Sequence, residues 1–547
     1  MKDVGKKVIV VGSGSAGFAA ALAAKEAGLD PLIIESTDKV GGSSAMSGGG
    51  AWIPNNPVML RAGTHDSYED AKKYMDFTIG DVGPASSPER REAFLREGPK
   101  MVEWMESLGF RYHYGKGYAD YYPELPGGSV TGRLVEPEPF DLKKLGAWKD
   151  KINLTLPIPV YTLDGVQIAL SFRVFSAFLN TVKVIGIRTM GSMIIGKKLA
   201  GIGGALIGQL TNLALQRSIP IWTNCPMVGL IHENGAVQGV IVEKEGKRTE
   251  IRAKAVILTA GGFARNNEMR QKYHPHPITT EWTVATVADH GDAIRAGIDI
   301  GAATALMDDA WWGPCFTDSK GVSQFMIWER SFPYSMIVDT SGKRFMNESA
   351  SYVDCGHWQY ERNKQVSAIP AFLIFDQHHH KYYPFGVGLP GAEPKEYFES
   401  GMMTKADTLA ELASKIGIDP KGLGETVQRF NQNAVKGKDP DFHRGDSAYD
   451  RIYSDPRVKP NPNLAPLTKP PFYAVRVWPG DLGTKGGLLT NEFAQVLRED
   501  GSIIKGLYAA GNTSASVMGH TYPGPGSTIG PAMVFGMIAG RHAAKVE

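Results

Sequence analysis

The chain has 547 residues, 42% of them hydrophobic and 10% aromatic, enough for two to four domains with large cores. A net charge of +2 at pH 7, with no RNA- or DNA-binding motif, argues against a nucleic-acid partner. The three cysteines, Cys225, Cys315 and Cys355, share no metal-ligand spacing and suggest no disulfide framework, which fits a reducing compartment and no metal site.

The N-terminus runs directly into a strand with no secretory signal, so a cytoplasmic location is expected. Lys7 to Val11 (KVIVV) is a short β-branched run suited to a buried parallel strand. It enters Gly12-Ser13-Gly14-Ser15-Ala16-Gly17, a GxGxxG, followed by an Ala-rich helix that closes at Gly28. A second strand, Pro31 to Ile34, ends in Glu35. Gly12 makes the turn, Gly14 admits a pyrophosphate, and Gly17 lets helix and strand pack. The helix N-terminus, with Ser15 and Ala16, faces the phosphates, and Glu35 reaches a ribose hydroxyl. Strand, turn, helix, strand and acid at these offsets predict dinucleotide binding.

A Gly/Ser run follows at once, Gly41 to Gly50 (GGSSAMSGGG). Its Gly42, Ser43, Ser44, Ser47, Gly48, Gly49 and Gly50 offer N–H groups and hydroxyls to a further part of the ligand. Val256 to Phe263 (VILTAGGF) and Gly506 to Asn512 (GLYAAGN) are two more strands ending in glycine turns, at Ala260-Gly261 and Gly511-Asn512. Such widely separated strand ends resemble FAD enzymes of the glutathione-reductase-like fold. With only one strong GxGxxG, a second nucleotide site for NAD(P)H is not expected, so electrons pass directly between substrate and flavin.

From Gly165 to Gln216 there is no Asp or Glu, while Arg173, Lys183, Arg188, Lys197 and Lys198 are basic. No apolar run reaches the ~18–20 residues of a spanning helix. Basic residues among bulky apolar ones suit a segment lying in a membrane interface, and equally a core or dimer-interface helix pair. Pro220 to Val242 and Glu250 to Ala260 read as meander and return strands. Ala310 to Gly480 is rich in Trp, Tyr, His and Pro, with helical patterns in ADTLAELASKIG and GLGETVQRFNQNAVKG. The expected fold class is therefore α/β plus α+β. A Rossmann-like FAD domain split between residues 1–309 and 481–547 carries an inserted α+β catalytic domain at 310–480, and the basic apolar insert spans 165–216.

Gly519 to Thr528 (GHTYPGPGST) crowds glycines and prolines around Tyr522 and leaves the Gly526 N–H bare. Alone it reads as a tight turn with a surface tyrosine. Together with GGSSAMSGGGAWIPNN, ADYYPE, AGGFARNNEMR, MDDAWWGP, GKRFMNESASY, DLGTKGGLLTN, YAAGNTSAS and TYPGPGSTIGPA, however, it gives a chain that resembles the flavin-dependent 3-ketosteroid Δ1-dehydrogenases, within the fumarate-reductase-like flavoproteins. The resemblance spans nearly the whole chain apart from the insert.

It implies roles residue by residue. The Tyr522 phenol and the Gly526 N–H hold the 3-keto oxygen of a steroid and stabilise the developing enolate. Tyr352, after Phe345-x-Asn347-Glu348, takes the carbon 2 proton. Fumarate-reductase relatives carry Arg there. Tyr121, beside Asp120, hydrogen-bonds that base, with Tyr118 and Tyr122 close enough in sequence to compete. A free tyrosine has a pKa near ~10, so the base needs such help. The hydride from carbon 1 goes to FAD. Thr528 and Ile529 open a last helix whose N-terminus faces the flavin. Trp52, Trp311 and Trp312 are pocket walls or plain core.

The expected partners are a 3-ketosteroid and an electron acceptor such as a quinone or dye-like molecule, with peripheral contact at the inner face of the membrane through the insert. The alternatives are a Δ4-(5α)-dehydrogenase of the same superfamily, a fumarate-reductase-like reductase, which Tyr352 disfavours, and a non-catalytic membrane-associated flavoprotein.

Overall fold

The computed structural model describes residues 4–154 and 158–545; the outermost residues of the expected split domain, 1–3 and 546–547, lie outside it. In chain order, the elements that position the site are β1 (Lys7–Val11), α1 (Ser15–Glu26), β2 (Asp30–Ile34), α2 (Gly42–Met46), α3 (Pro88–Leu108), α4 (Thr162–Ala169), α5 (Phe175–Thr181), α6 (Ile202–Gln216), β3 (Ile221–Trp222), β4 (Ala236–Lys244), β5 (Ala255–Leu258), β6 (Ala310–Thr317), α7 (Tyr352–Asn363), β7 (Ala371–Asp376), β8 (Phe472–Thr484), β9 (Ile503–Ala509) and α8 (Ile529–Lys545).

Five strands form a parallel layer in the order β9-β5-β1-β2-β3. The β-branched residues of β1, β2 and β5 are buried because helices cover the sheet, as parallel sheets require. Beyond β9, β4 pairs antiparallel with Met227–Glu233 and Lys247–Arg252, making a meander. α1 and α8 pack backbone to backbone. A Cβ at Gly536 would meet the Ala16 carbonyl oxygen at 2.4 Å and one at Gly540 the Ala20 oxygen at 2.3 Å, so only glycine permits this crossing. It brings the last helix of the chain onto the first.

A second, antiparallel sheet has the order Ser323–Phe325, β6, β8, β7, Ser335–Val338, with Met403–Ala406 also on β8. Its helices include Leu409–Ile416 and Pro420–Lys436, amphipathic segments whose Leu412, Leu423, Val427 and Phe430 fill a separate core.

The acid-free stretch 165–216 divides in two. Its C-terminal part, α6, is core: it is buried along most of its length, and a Cβ at Gly203 would meet the Ser44 carbonyl oxygen at 2.4 Å. The exposed apolar side chains are confined to 172–195, among them Phe172, Phe175, Ile187, Met190, Met193 and Ile194, the last 85% exposed. This segment contains α5 and a π-helical run from Val182 to Gly191.

Two of the five basic residues expected at that surface are spent inward. Arg173 pairs with buried Asp455 at 2.7 Å and Arg188 with Asp164 at 2.6 Å, because acids from outside the stretch reach them. Lys183 and Lys197 are exposed, and Lys198 pairs with Asp150 at 2.9 Å. Among the described residues, no helix is long and apolar enough to cross a membrane.

Candidate active site

At the carboxyl end of β1, Gly12 has φ +102°, and a Cβ there would meet the Thr259 carbonyl oxygen at 2.5 Å. A Cβ on Gly17 would meet the Gly12 oxygen at 2.1 Å, so the strand–helix turn tolerates no side chain at either position. Gly14 is open, with the Ser44 hydroxyl as its nearest neighbour at 3.5 Å from a built Cβ. α1 starts with no side-chain cap, and its Ser15 N–H donates to the Ser44 hydroxyl at 3.2 Å. The 41–50 run thus folds back over the first turn of α1. Ser43 accepts from the Thr286 N–H at 3.1 Å, and Ser47 accepts from the Gly49 N–H at 3.0 Å. Gly49 and Gly50 lie where a Cβ would strike Ile202 and Leu134. Gly42 begins α2, with Gly48 just beyond it.

Glu35 is buried at the end of β2. One carboxylate oxygen accepts from the Ser13 N–H at 3.1 Å and its hydroxyl at 2.6 Å; the other accepts from Thr37 N–H at 3.0 Å. The acid therefore also braces the glycine turn. Across the sheet, Ala260-Gly261 follows β5 and Gly511-Asn512 follows β9, and Thr513 donates to the Gly261 carbonyl at 2.8 Å. Gly511, Asn512 and Thr528 line one cleft together with Arg90 and Ala532, and Ile529 opens α8 beside it.

The residues present fit a bound dinucleotide on two observations. The turn around Gly12 and Gly14 is bare backbone at a helix start whose N-cap, Gly14, has no side chain. Arg90, on α3, is buried in that cleft with an unpartnered Nε and, among the described residues, no carboxylate partner. Burial lowers its pKa to about 10, and its Nη1 donates to the Ala85 carbonyl and to the Ala515 carbonyl at 3.0 Å, which leaves Nε free to meet a ligand.

The three expected phenols converge. Tyr121 Oη donates to Tyr352 Oη at 3.3 Å. The Tyr522 ring stacks on Tyr121 at 5.0 Å and meets Tyr352 at 5.0 Å. Gly526 has φ +92° and lies four residues beyond Tyr522 in the same loop, and its backbone N–H acts to lower the Tyr522 pKa. The neighbours of Tyr121 are directed elsewhere: Tyr122 to Asp354 at 3.0 Å and Tyr118 to Tyr453 at 2.7 Å. Trp311 stands edge-on to Tyr522 at 5.2 Å and Phe325 edge-on to Tyr352 at 5.1 Å. Trp312, the next residue on β6, faces the opposite way against Tyr360 and His274, as strand alternation dictates. Trp52 is wholly buried, its Nε1 donating to Asp120 at 2.8 Å.

Burial pushes the Tyr352 and Tyr121 phenols well above the usual tyrosine range, and the hydrogen bond from Tyr121 draws Tyr352 back down. Burial also raises Tyr522, opposed by hydrogen bonds with Tyr352, Thr528 and the Gly526 N–H.

Each phenol is held by its motif. Asp120 accepts from Arg133 at 2.5 Å and from the Ser129 N–H at 3.0 Å, fixing the loop, while Tyr121 N–H donates to the Pro523 carbonyl at 2.9 Å. Glu348, four residues before Tyr352, accepts from the Ile337 N–H at 3.0 Å, Arg344 at 2.7 Å and Arg444 at 3.2 Å. Asn347 donates to Asp450 at 3.0 Å. The Phe345-x-Asn347-Glu348 stretch is thus an anchor for the start of α7. Sequence reasoning missed Tyr449, whose ring lies 4.2 Å from that of Tyr121, and Arg330, buried beneath the cluster. Nothing local marks either one.

A family model described as FAD binding domain matches residues 7–529. A 3-oxosteroid 1-dehydrogenase of Mycobacterium tuberculosis is 48% identical, covering 98% of each chain. A crystal structure of 3-ketosteroid delta1-dehydrogenase from Sterolibacterium denitrificans, in complex with 1,4-androstadiene-3,17-dione, has a TM-score of 0.94 at 38% identity, over 99% of this chain and 100% of that one. A flavocytochrome c3 fumarate reductase in an open conformation has a TM-score of 0.63 at 25% identity, over 99% of this chain and 78% of that one. Fold and site thus define an FAD-dependent oxidoreductase of the fumarate-reductase kind, built of mixed sheets and helices. Within that class the chain belongs to the 3-ketosteroid Δ1-dehydrogenase family.

Proposed function

We propose that the protein removes one hydrogen each from carbons 1 and 2 of a 3-ketosteroid A-ring, leaving a 1,2 double bond. The observation that carries this reading is the meeting of Tyr121, Tyr352 and Tyr522 with the Gly526 N–H. Tyr522 Oη and the Gly526 N–H donate to the 3-keto oxygen, making the carbon 2 proton more acidic and stabilising the enolate as it forms. Tyr352, as the phenolate, receives that proton on Oη. Tyr121 Oη donates to Tyr352 and offsets part of the burial that otherwise keeps its proton on. Trp311 and Phe325 form apolar walls that exclude water from the enolate.

FAD, when bound, supplies the acceptor for the hydride of carbon 1. Gly12, Gly14, Ser15, Ala16 and Gly17 would hold its phosphates and Glu35 a ribose hydroxyl. The 41–50 run, Ala260-Gly261, Gly511-Asn512, Thr528 and Ile529 would hold the remainder. On this reading residues 1–309 and 481–547 are a Rossmann-like FAD domain and 310–480 an inserted catalytic domain. A quinone-like or dye-like acceptor takes the electrons onward.

Anaerobic addition of a 4-ene-3-ketosteroid should bleach the flavin absorbance and yield the 1,4-diene. The Δ4-(5α) alternative predicts reaction only with a saturated 5α-3-ketosteroid and a 4-ene product. No bleaching with either steroid would refute the assignment.

A second reading is favoured by the exposed apolar residues of 172–195 beside Lys183, Lys197 and Lys198. It makes this segment a peripheral contact with an anionic lipid surface, from which a poorly soluble substrate is drawn. Each exposed lysine contributes ~1 kcal/mol near such a surface and buried apolar area contributes the rest. The protein should sediment with anionic vesicles, and substitution of Ile187, Met190 and Ile194 by Ser should release it with flavin retained. No sedimentation at low salt refutes the contact, and dimerisation lost in the same variant would assign the patch to a second copy.

A further inference from the structure

Asp309 belongs to none of the groups assigned so far. It is buried, at the start of β6, and its carboxylate gathers donors from four separate segments. One oxygen accepts from Trp312 Nε1 at 2.8 Å and His357 Nε2 at 2.8 Å. The other accepts from Lys485 Nζ at 3.1 Å and His520 Nδ1 at 3.0 Å. Burial alone would raise the pKa of Asp309, but Lys485 and the two histidines hold it well below the carboxylate range, so it is an acceptor only and both facing ring nitrogens carry protons.

The two histidines belong to the segments that carry the reactive phenols. His357 is on α7, the helix that Tyr352 begins. His520 is two residues before Tyr522 in the glycine–proline loop. Lys485, wholly buried, also lies over the Trp311 ring at 4.9 Å, and Trp311 is the edge-on wall of Tyr522. One carboxylate therefore ties the base-bearing helix, the loop of the carbonyl donor and a pocket wall to a common point. No other described contact joins α7 to that loop through a charge.

We propose that Asp309 is a positioning residue for the reaction, acting through His357 and His520 to fix the distance between the Tyr352 and Tyr522 phenols. Tyr352 must reach carbon 2 while Tyr522 holds the oxygen on carbon 3, so the two oxygens need a fixed spacing. A displacement on the order of 1 Å costs up to ~10²-fold in turnover. The proposal rests on the assignment of those two tyrosines.

The test uses isosteric variants of the histidines on the holoenzyme, because Asp309→Asn would strand the Lys485 charge and endanger folding. Asn places an amide N–H where His Nδ1 stands, and Gln places one where Nε2 stands. The expected result is that His520→Ala and His357→Ala each lower kcat by ~10–10²-fold with KM and flavin occupancy within twofold of wild type. His520→Asn and His357→Gln should recover most of the loss, while His520→Gln and His357→Asn should not. The double alanine variant should lose less than the product of the single losses, since either break frees the same link. Alanine variants with wild-type kcat overturn the proposal, and so does a fall in kcat that follows flavin loss or ignores the isosteres. If Tyr352→Phe and Tyr522→Phe are themselves active, the underlying assignment fails; if they are inactive while the alanine variants turn over normally, only the role of Asp309 fails.

Discussion

Tyr522→Phe isolates one oxygen atom. The ring keeps its stacking on Tyr121 at 5.0 Å, its contact with Tyr352 at 5.0 Å and its edge contact with Trp311 at 5.2 Å, so the pocket keeps its shape. On the proposed reading, what disappears is a donor to the 3-keto oxygen of the substrate. Removing one such donor costs ~10²–10³ in kcat, or about 2.7–4 kcal/mol.

The assay is steady-state turnover with a 4-ene-3-ketosteroid and a dye acceptor, normalised to bound flavin. The expected result is a kcat lowered by ~10²–10³, unchanged flavin content and a KM changed far less than kcat. A kcat within threefold of wild type refutes the oxyanion role. A raised KM at constant kcat reduces Tyr522 to uniform substrate binding.

Tyr352→Phe should abolish exchange of the carbon 2 proton with deuterated solvent, measured by mass spectrometry, while steroid still binds; continued exchange moves the base elsewhere, with Tyr121 first. Gly17→Ala should lower flavin occupancy and thermal stability together, because its Cβ would sit 2.1 Å from the Gly12 carbonyl oxygen, and normal occupancy would contradict that geometry. Gly424→Ala, in an exposed helical position with nothing within 4 Å of the new Cβ, should stabilise the protein by about 0.5–1 kcal/mol in thermal melts. Burial raises Glu136 to about 7, opposed by bonds from the Thr162 N–H and hydroxyl. Its folded pKa thus lies above the unfolded carboxylate value near ~4.3, so the group favours the folded state most at low pH and that support is lost as pH rises toward 7. Glu136→Gln should therefore gain stability over wild type between pH ~4.5 and 7, by a few kcal/mol at most, and a constant difference across that window would contradict the raised pKa.

The nucleotide turn could be read from the chain because each of its requirements is local. KVIVV must be a buried strand, and only glycine can occupy a position like Gly17, where any side chain strikes the preceding turn. The same holds for the amphipathic helix Pro420–Lys436, whose period alone selects its buried face. Local pattern did not extend to the partners of charges. Arg173 and Arg188 sit in a stretch without acids and look free, yet Asp455 and Asp164 reach them in space. α6 reads like the rest of that stretch and is core, because α1 and the 41–50 run come to cover it.

The resemblance pointed to Tyr121, Tyr352 and Tyr522 through the motifs around them, with Tyr118 and Tyr122 near enough in sequence to compete with Tyr121. Only the tertiary structure separated the three, since Tyr122 is turned to Asp354, Tyr118 to Tyr453 and Tyr121 alone to Tyr352. Asp309 shows the same limit. In sequence it is one of two adjacent acids, and its four side-chain donors lie 3, 48, 176 and 211 positions away. Spacing along the chain determines which residues share a strand or a helix face, but a carboxylate's partners are set by which segments the folded layers bring within 3 Å, and that is a property of packing alone.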